Sequence, residues 1–318
     1  MKFQQYRRGF TLIELLFVIV ILGIVGGITL EAIRQYYEGI YRTQEYNKRV
    51  SDADEILDQL TKYFEYAISG SIVNLDKNIE PGVAAVTCDG PPKSGDTNDS
   101  TVGFIGVDND SMRVSGRPGW SEETRLLAGN ELNASDANYT VANNIITALD
   151  TSGVLPAFSL TNSAIYDADS VDVNACRRFS WDNIGSDDGY HHIFANNSST
   201  SLTLNAANPA INGKQKYLLR TGYAFRVLNN GNFMLYSNFR PWLGENYTAA
   251  TRINVLGQNV AHFYADYNAT DFMNNSGLNS RGMVWKLKVC MRGLDANLST
   301  SVTESQAVCR ERRVHVRY

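Results

Sequence analysis

The sequence predicts an α+β protein: a long N-terminal helical spine, one half membrane-spanning and the other amphipathic, packed on a mainly antiparallel β head with long loops. Three observations carry this. Between Phe10 and Leu30 there are twenty-one residues with a single charge. An apolar stripe at spacings of three and four then runs on to Ile68, and no proline occurs before Pro81. Beyond it, short apolar pieces alternate with turn-rich text and close on a series of strand-like segments. At 318 residues, 43% hydrophobic and 19% charged with a net charge of -4, the chain can bury a substantial core. That balance argues against a generally basic nucleic-acid binder and against a disordered chain.

The apolar run comes first. At ~1.5 Å rise per residue it is long enough to cross a ~30 Å hydrocarbon core. Lys2, Arg7 and Arg8 precede it without an acid, so the positive-inside bias keeps residues 1–9 cytoplasmic and sends the remainder outward. A cleaved secretory signal, a plain anchor and an assembly segment compete for this run, and Glu14 separates them. A signal core is uncharged and ends in small residues at a cleavage site, whereas here Gly26-Gly27-Ile28 leads into more helix. A plain anchor gains nothing from a carboxylate that costs about 2.5–3.5 kcal/mol near the membrane centre. An acid in this place calls for a cationic partner, yet no Lys or Arg lies between Phe10 and Arg34. Cutting between Gly9 and Phe10 would create one, an α-amine about one helical turn from Glu14, for pairing within the helix or with a neighbouring copy.

Gly9, Phe10, Thr11, Leu12, Ile13 and Glu14, behind a basic leader and ahead of an apolar helix, resemble the type IV pilin and pseudopilin superfamily. The resemblance implies cleavage after Gly9 by a prepilin peptidase, N-methylation of Phe10, and docking of Glu14 against the amine of an adjacent subunit. It also implies a helical spine carrying a head against its second half.

Past Leu30, Ala53, Ile56, Leu57, Leu60, Phe64, Ala67 and Ile68 form one stripe with Asp54, Glu55, Asp58, Lys62 and Glu65 between them. A single helix from Phe10 to about Ser69 is expected. Gly23, Gly26 and Gly27 are where it would bend or unwind, or else where a neighbouring helix approaches closely in lipid.

From Pro81 to about Asn212 the chain reads as irregular loops with a few strands, Val102 to Val107 and Val154 to Leu160 among the apolar pieces. Then Tyr223 to Leu228 and Phe233 to Tyr236 flank Asn229-Asn230-Gly231-Asn232, a hairpin signal. Further strands are expected at Arg252 to Leu256, Val260 to Tyr267, Val284 to Cys290 and Ala307 to Arg317, with antiparallel pairing. The stretch from Asn259 to Gly293 looks like the C-terminal pattern of larger minor pseudopilins of the J-type and minor pilins of the W-type. Cys88, Cys176, Cys290 and Cys309 match no metal-ligand spacing and, beyond an export segment, suit two disulfides. Four cysteines allow three pairings. Cys290 with Cys309, on the last two expected strands, would pin the C-terminal hairpin, and Cys88 with Cys176 would staple the loop-rich part.

Catalytic and metal chemistry find little support. His191, His192, His262 and His315 form no ligand array, the Lys93-Ser94 stretch lacks a phosphate loop's glycine spacing, and DTNDST and VDNDS lack a calcium loop's ligand spacing. No metal, cofactor or enzymatic activity is expected. CRERRVHVRY places Arg313, His315 and Arg317 on one strand face opposite Val314 and Val316, a charged strand that resists edge pairing rather than a surface for nucleic acid. Of ten Asn-x-Ser/Thr sites, Asn98, Asn133, Asn138, Asn268 and Asn297 carry an acid two residues earlier, which resembles the acceptor site of bacterial N-glycosylation.

The chain is thus expected to divide into a leader at 1–9, an assembly half of the helix at 10–30, an amphipathic half at 31–69, a loop-rich head region at 70–212 and an antiparallel β region at 213–318. The expected role is structural: a low-copy subunit of a type IV pilus or type II secretion pseudopilus, held in the bacterial inner membrane before assembly, whose partners are prepilin peptidase and other pilin subunits. The alternative is a pilus-displayed adhesin or DNA-binding minor pilin.

Overall fold

The expected spine is one helix, α1 (Leu12–Phe64), 53 residues long. It belongs to a computed structural model that describes residues 11–75, 88–90, 101–113, 118–120, 125–126, 131–133, 136–149, 159–167, 176, 179–181, 191–197, 199–204, 216–250, 252–267, 283–293 and 307–316. The chain divides into two units, Met1–Arg49 and Val50–Tyr318.

In the first unit every large apolar side chain from Leu12 to Leu30 is exposed, Leu12 by 84% and Val20 by 49%. Water is a poor solvent for such a surface, and the helix is long and apolar enough there to cross a membrane. The helix runs unbroken through Gly23, Gly26 and Gly27, so the expected local unwinding is not seen. A Cβ at any of the three would meet nothing within 4 Å, which leaves the steric basis for close helix contact intact. Outside the apolar run the surface turns polar, with Arg34 paired to Glu38 at 2.9 Å and Arg49 to Glu45 at 3.8 Å, one helical turn apart.

In the second unit α1 stops at Phe64, short of Ser69, for a tertiary reason. The backbone of the next residues is captured by β3 (Thr101–Val107): Ile68 donates to the carbonyl of Ile105 at 3.0 Å, and Val107 donates to that of Tyr66 at 2.9 Å. A buried Ser71 hydroxyl reinforces the junction, donating to the Ile68 carbonyl at 2.7 Å and accepting from the Ile105 amide at 2.9 Å.

The strands are β1 (Val73–Leu75), β2 (Cys88–Gly90), β3, β4 (Arg125–Leu126), β5 (Glu131–Asn133), β6 (Ala164–Asp167), β7 (His191–Asn197), β8 (Ser201–Leu204), β9 (Lys216–Val227), β10 (Phe233–Phe239), β11 (Arg252–Gly257), β12 (Val260–Tyr267), β13 (Met283–Arg292) and β14 (Ala307–Val316). Eleven of them form one sheet in the order β2-β1-β3-β9-β6-β7-β8-β5-β4, with β10 and then β11 branching from β9. The other three form a sheet in the order β12-β13-β14. Every pairing among the described residues is antiparallel.

Two cores result. Ala53, Ile56, Leu57, Leu60 and Phe64 of α1 are buried, as the stripe predicted, against Phe104 of β3, Phe225 of β9, Phe233 of β10, Phe263 of β12 and Trp285 of β13. Each of the Ile, Leu and Phe side chains contributes roughly 1.5–3 kcal/mol by leaving water. The second core lies on the opposite face of β3, where Ile105 and Val107 join Leu218, Leu219, Trp120, Trp181 and Trp242. All seven residues of β3 are therefore buried, since adjacent side chains point to two covered faces.

The region expected to be irregular thus builds most of the second core. It contains β2 to β8 and a helix, α2 (Tyr139–Leu149), which was not expected. Asn138 caps α2, its Oδ1 accepting from the Val141 amide at 3.3 Å, and Tyr139, Ala142 and Ile146 face inward. His191 and His192 lie on strand β7 rather than in a loop. Of the Val154 to Leu160 piece, Leu160 opens a short 3₁₀ turn and residues 154–158 lie outside the described residues. The β9–β10 hairpin forms as expected but through a longer turn, residues 228–232, in which Gly231 has φ 83° while its Asn neighbours keep negative values.

Candidate functional site

Gly9 and Phe10 lie outside the described residues, and the described site begins at Thr11. Thr11 is the residue before α1, and Glu14 stands three positions on, in the first turn. The Thr11 amide donates to Glu14 Oε2 at 2.9 Å, and the Thr11 hydroxyl donates to the same oxygen at 2.9 Å. In return the Glu14 amide donates to Thr11 Oγ1 at 3.4 Å. This is a reciprocal capping box, which satisfies backbone donors that have no partner within the helix. It also places a negative charge at the positive end of the helix dipole.

The capping box is a role that sequence reasoning missed, although the Thr-Leu-Ile-Glu spacing ahead of an apolar run is its signature. It revises the account of Glu14. The carboxylate is not bare in the apolar run, because Thr11 takes one oxygen. Both bonds land on Oε2, so Oε1 keeps its accepting capacity. An amine approaching the start of the helix meets an oriented carboxylate with one oxygen unused among the described residues.

The remaining residues singled out in the sequence fall elsewhere. Cys88 of β2 is bonded to Cys176, with Cα atoms 5.7 Å apart. Cys290 of β13 is bonded to Cys309 of β14, which it faces directly in the strand register, with Cα atoms 4.0 Å apart. Asn133 ends β5 and Asn138 caps α2, both half-buried, so a glycan on Asn138 would compete with the cap. Asn98, Asn268 and Asn297 lie outside the described residues.

The basic strand β14 spends its inward arginines on the helix. Arg310 Nε donates to Asp54 Oδ1 at 3.2 Å, and Arg312 pairs with Asp58. The match is geometric: residues four apart on a helix advance ~6 Å and residues two apart on a strand ~6.6 Å, so alternate arginines meet successive turns. Val314 and Val316 continue that face into the core, while Arg313 and His315 are exposed. Arg317 lies outside the described residues.

No group of three or more His, Cys, Asp or Glu side chains able to hold a metal ion occurs among the described residues. No curated protein and no solved structure matches the chain. One family model does: residues 4–30 match the family described as the prokaryotic N-terminal methylation motif. That segment holds Arg7 and Arg8, the Gly9-Phe10 step, the capping box and the exposed apolar run to Leu30. By this motif and the membrane-length helix it opens, the N-terminal segment is similar to that of type IV pilin-like proteins.

Proposed function

We propose that the chain is a low-copy subunit of a type IV pilus or a type II secretion pseudopilus, which initiates, caps or decorates the fibre. Prepilin peptidase would cut after Gly9, Phe10 would be N-methylated, and the new amine would dock on Glu14 of an adjacent subunit. The second unit would then face the periplasm before assembly. The carrying observation is the oriented Glu14 carboxylate, half satisfied by Thr11, at the head of a fully exposed apolar helix. An acceptor left open at that depth is explained by a partner brought to it. The length of the head, with a second core beyond the one that the spine packs into, supports a special rather than a repeating subunit. The proposed division of the chain follows: leader 1–9, assembly half of the helix 10–30, amphipathic half from 31 to the helix end at Phe64, and the head beyond it.

Glu14→Ala tests it directly. The variant should insert in the membrane at the normal level and be processed, but be absent from sheared fibres or the assembled pseudopilus; incorporation at the normal level overturns the docking role. Mass spectrometry of the mature N-terminus should return an N-methylated Phe10.

A further inference from the structure

Beside the end of α1 a cleft of about 380 Å³ opens within the second unit, lined by Gln59, Lys62, Tyr63 and Tyr66, by Asn109, Asp110 and Arg113 of the turn after β3, and by Arg220 and Tyr223 of β9. Its size falls at the small end of the ~300–1,000 Å³ range of small-molecule sites. Its charge runs against that of the whole chain, which is -4, because three cations face one carboxylate, Asp110.

Two of the cations are held in place. Arg113 Nη2 donates to the Tyr66 hydroxyl at 3.0 Å, and the Asn109 amide oxygen, turned toward the guanidinium, accepts from Arg113 Nε at 3.3 Å. Arg220 pairs with Asp110. The third cation, Lys62, has no ion pair among the described residues, and the Gln59 amide and the Tyr63 and Tyr223 hydroxyls have no hydrogen bond there. Burial pushes the Tyr223 phenol up, so its hydroxyl remains a proton donor at any physiological pH. The wall therefore offers positive charge in excess, several unused hydrogen-bond donors and tyrosine rings.

We infer that this cleft binds an acidic sugar, a pyranose carrying a carboxylate, with Lys62 and Arg113 on the carboxylate and Gln59, Tyr63 and Tyr223 on ring hydroxyls. Guanidinium and ammonium groups take a carboxylate by charge-assisted hydrogen bonds. Tyrosine presents an apolar face to the C–H side of a sugar ring and a polar edge to its hydroxyls. A nucleotide fits less well, because the Tyr63 and Tyr223 rings, 5.6 Å apart and tilted by 53°, touch each other and leave no parallel-walled slot for a flat base.

The test is calorimetric titration of the full chain in detergent micelles with digalacturonic acid, neutral digalactose, inorganic phosphate and adenosine monophosphate. Digalacturonic acid should bind saturably at one site, and the other three should not saturate over the same concentrations. Lys62→Gln and Arg113→Gln, both at exposed positions, should each weaken it at least tenfold with an unchanged near-UV circular dichroism spectrum. No saturation by digalacturonic acid, or undiminished binding by both variants, overturns the site. Equal binding of digalactose, phosphate or adenosine monophosphate overturns the acidic-sugar assignment.

Discussion

At the scale of single residues, Thr11 and Asp108 each carry a consequence that can be measured. Thr11 supplies the hydroxyl and amide that orient Glu14, and the loss of a helix N-cap costs about 1 kcal/mol. Thr11→Val keeps the shape and deletes the hydroxyl; amide exchange over Leu12 to Leu15 in micelles should speed about fivefold, as that free energy implies. Unchanged exchange would show that the cap is dispensable. Asp108 is buried, takes hydrogen bonds from the Ser111 amide and hydroxyl, and has its carboxyl raised above the ordinary 3.8, first by desolvation and against the pull of Ser111 and Arg220. A raised folded value means the folded state binds its proton more tightly than the unfolded chain. Its contribution to stability is therefore fully present below pH 3.8 and lost as the pH rises through the higher folded value. Asp108→Asn, which still accepts from Ser111, should melt at a higher temperature than the parent at pH 7 and at the same temperature near pH 3.5. A lower melting temperature at pH 7 would show that the charge is needed.

At the scale of elements, α1 meets the head through two kinds of contact of unequal weight. The Asp54–Arg310 and Asp58–Arg312 pairs are exposed by 35% to 62%, so solvent screens them and each is worth ~0.2–1 kcal/mol. Leu57, with no exposed surface, leaves a cavity when truncated, at a cost of about 2–5 kcal/mol. Urea unfolding should therefore rank Leu57→Ala well below Arg312→Ala in stability, and comparable losses would mean that the ion pairs act as a network. Close approach adds a constraint, since a Cβ on Gly257 of β11 would lie 2.4 Å from Ile56 Cδ1. A larger residue at the end of β11 would have to push the Ile56 side chain aside. The stripe of α1 was legible because helical periodicity is local. Its end at Phe64 was not, because β3, some 40 residues further on, captures the backbone there.

At the scale of the whole molecule, two disulfides secure different things. Cys290–Cys309 closes 19 residues between neighbouring strands that the sheet already aligns, and Cys88–Cys176 closes 88 residues across the region that covers the second face of β3. Loop entropy alone predicts contributions of about 3 and about 4.5 kcal/mol. Replacing Cys88 and Cys176 together by serine should lower the melting temperature more than replacing Cys290 and Cys309. It should also expose indole fluorescence from Trp120, Trp181 and Trp242, all in that second core. The reverse order would show that the middle region holds without its staple.

The sequence by itself determined the start of the protein: the basic leader, the Gly9-Phe10-Thr11-Leu12-Ile13-Glu14 string, the membrane-length run and the stripe of α1. It also marked the C-terminal strands, whose alternation and turn residues are local signals. These features depend on residues within a few positions of one another, and so they show in the text. Tertiary structure alone decided why β3 is buried on both faces and that the Asn- and Asp-rich middle forms a second core. Those outcomes rest on contacts 30 to more than 200 residues apart, as in Ser71 with Ile105 or Asp54 with Arg310. No local pattern records them, because burial is shared among segments that become neighbours only when the chain folds.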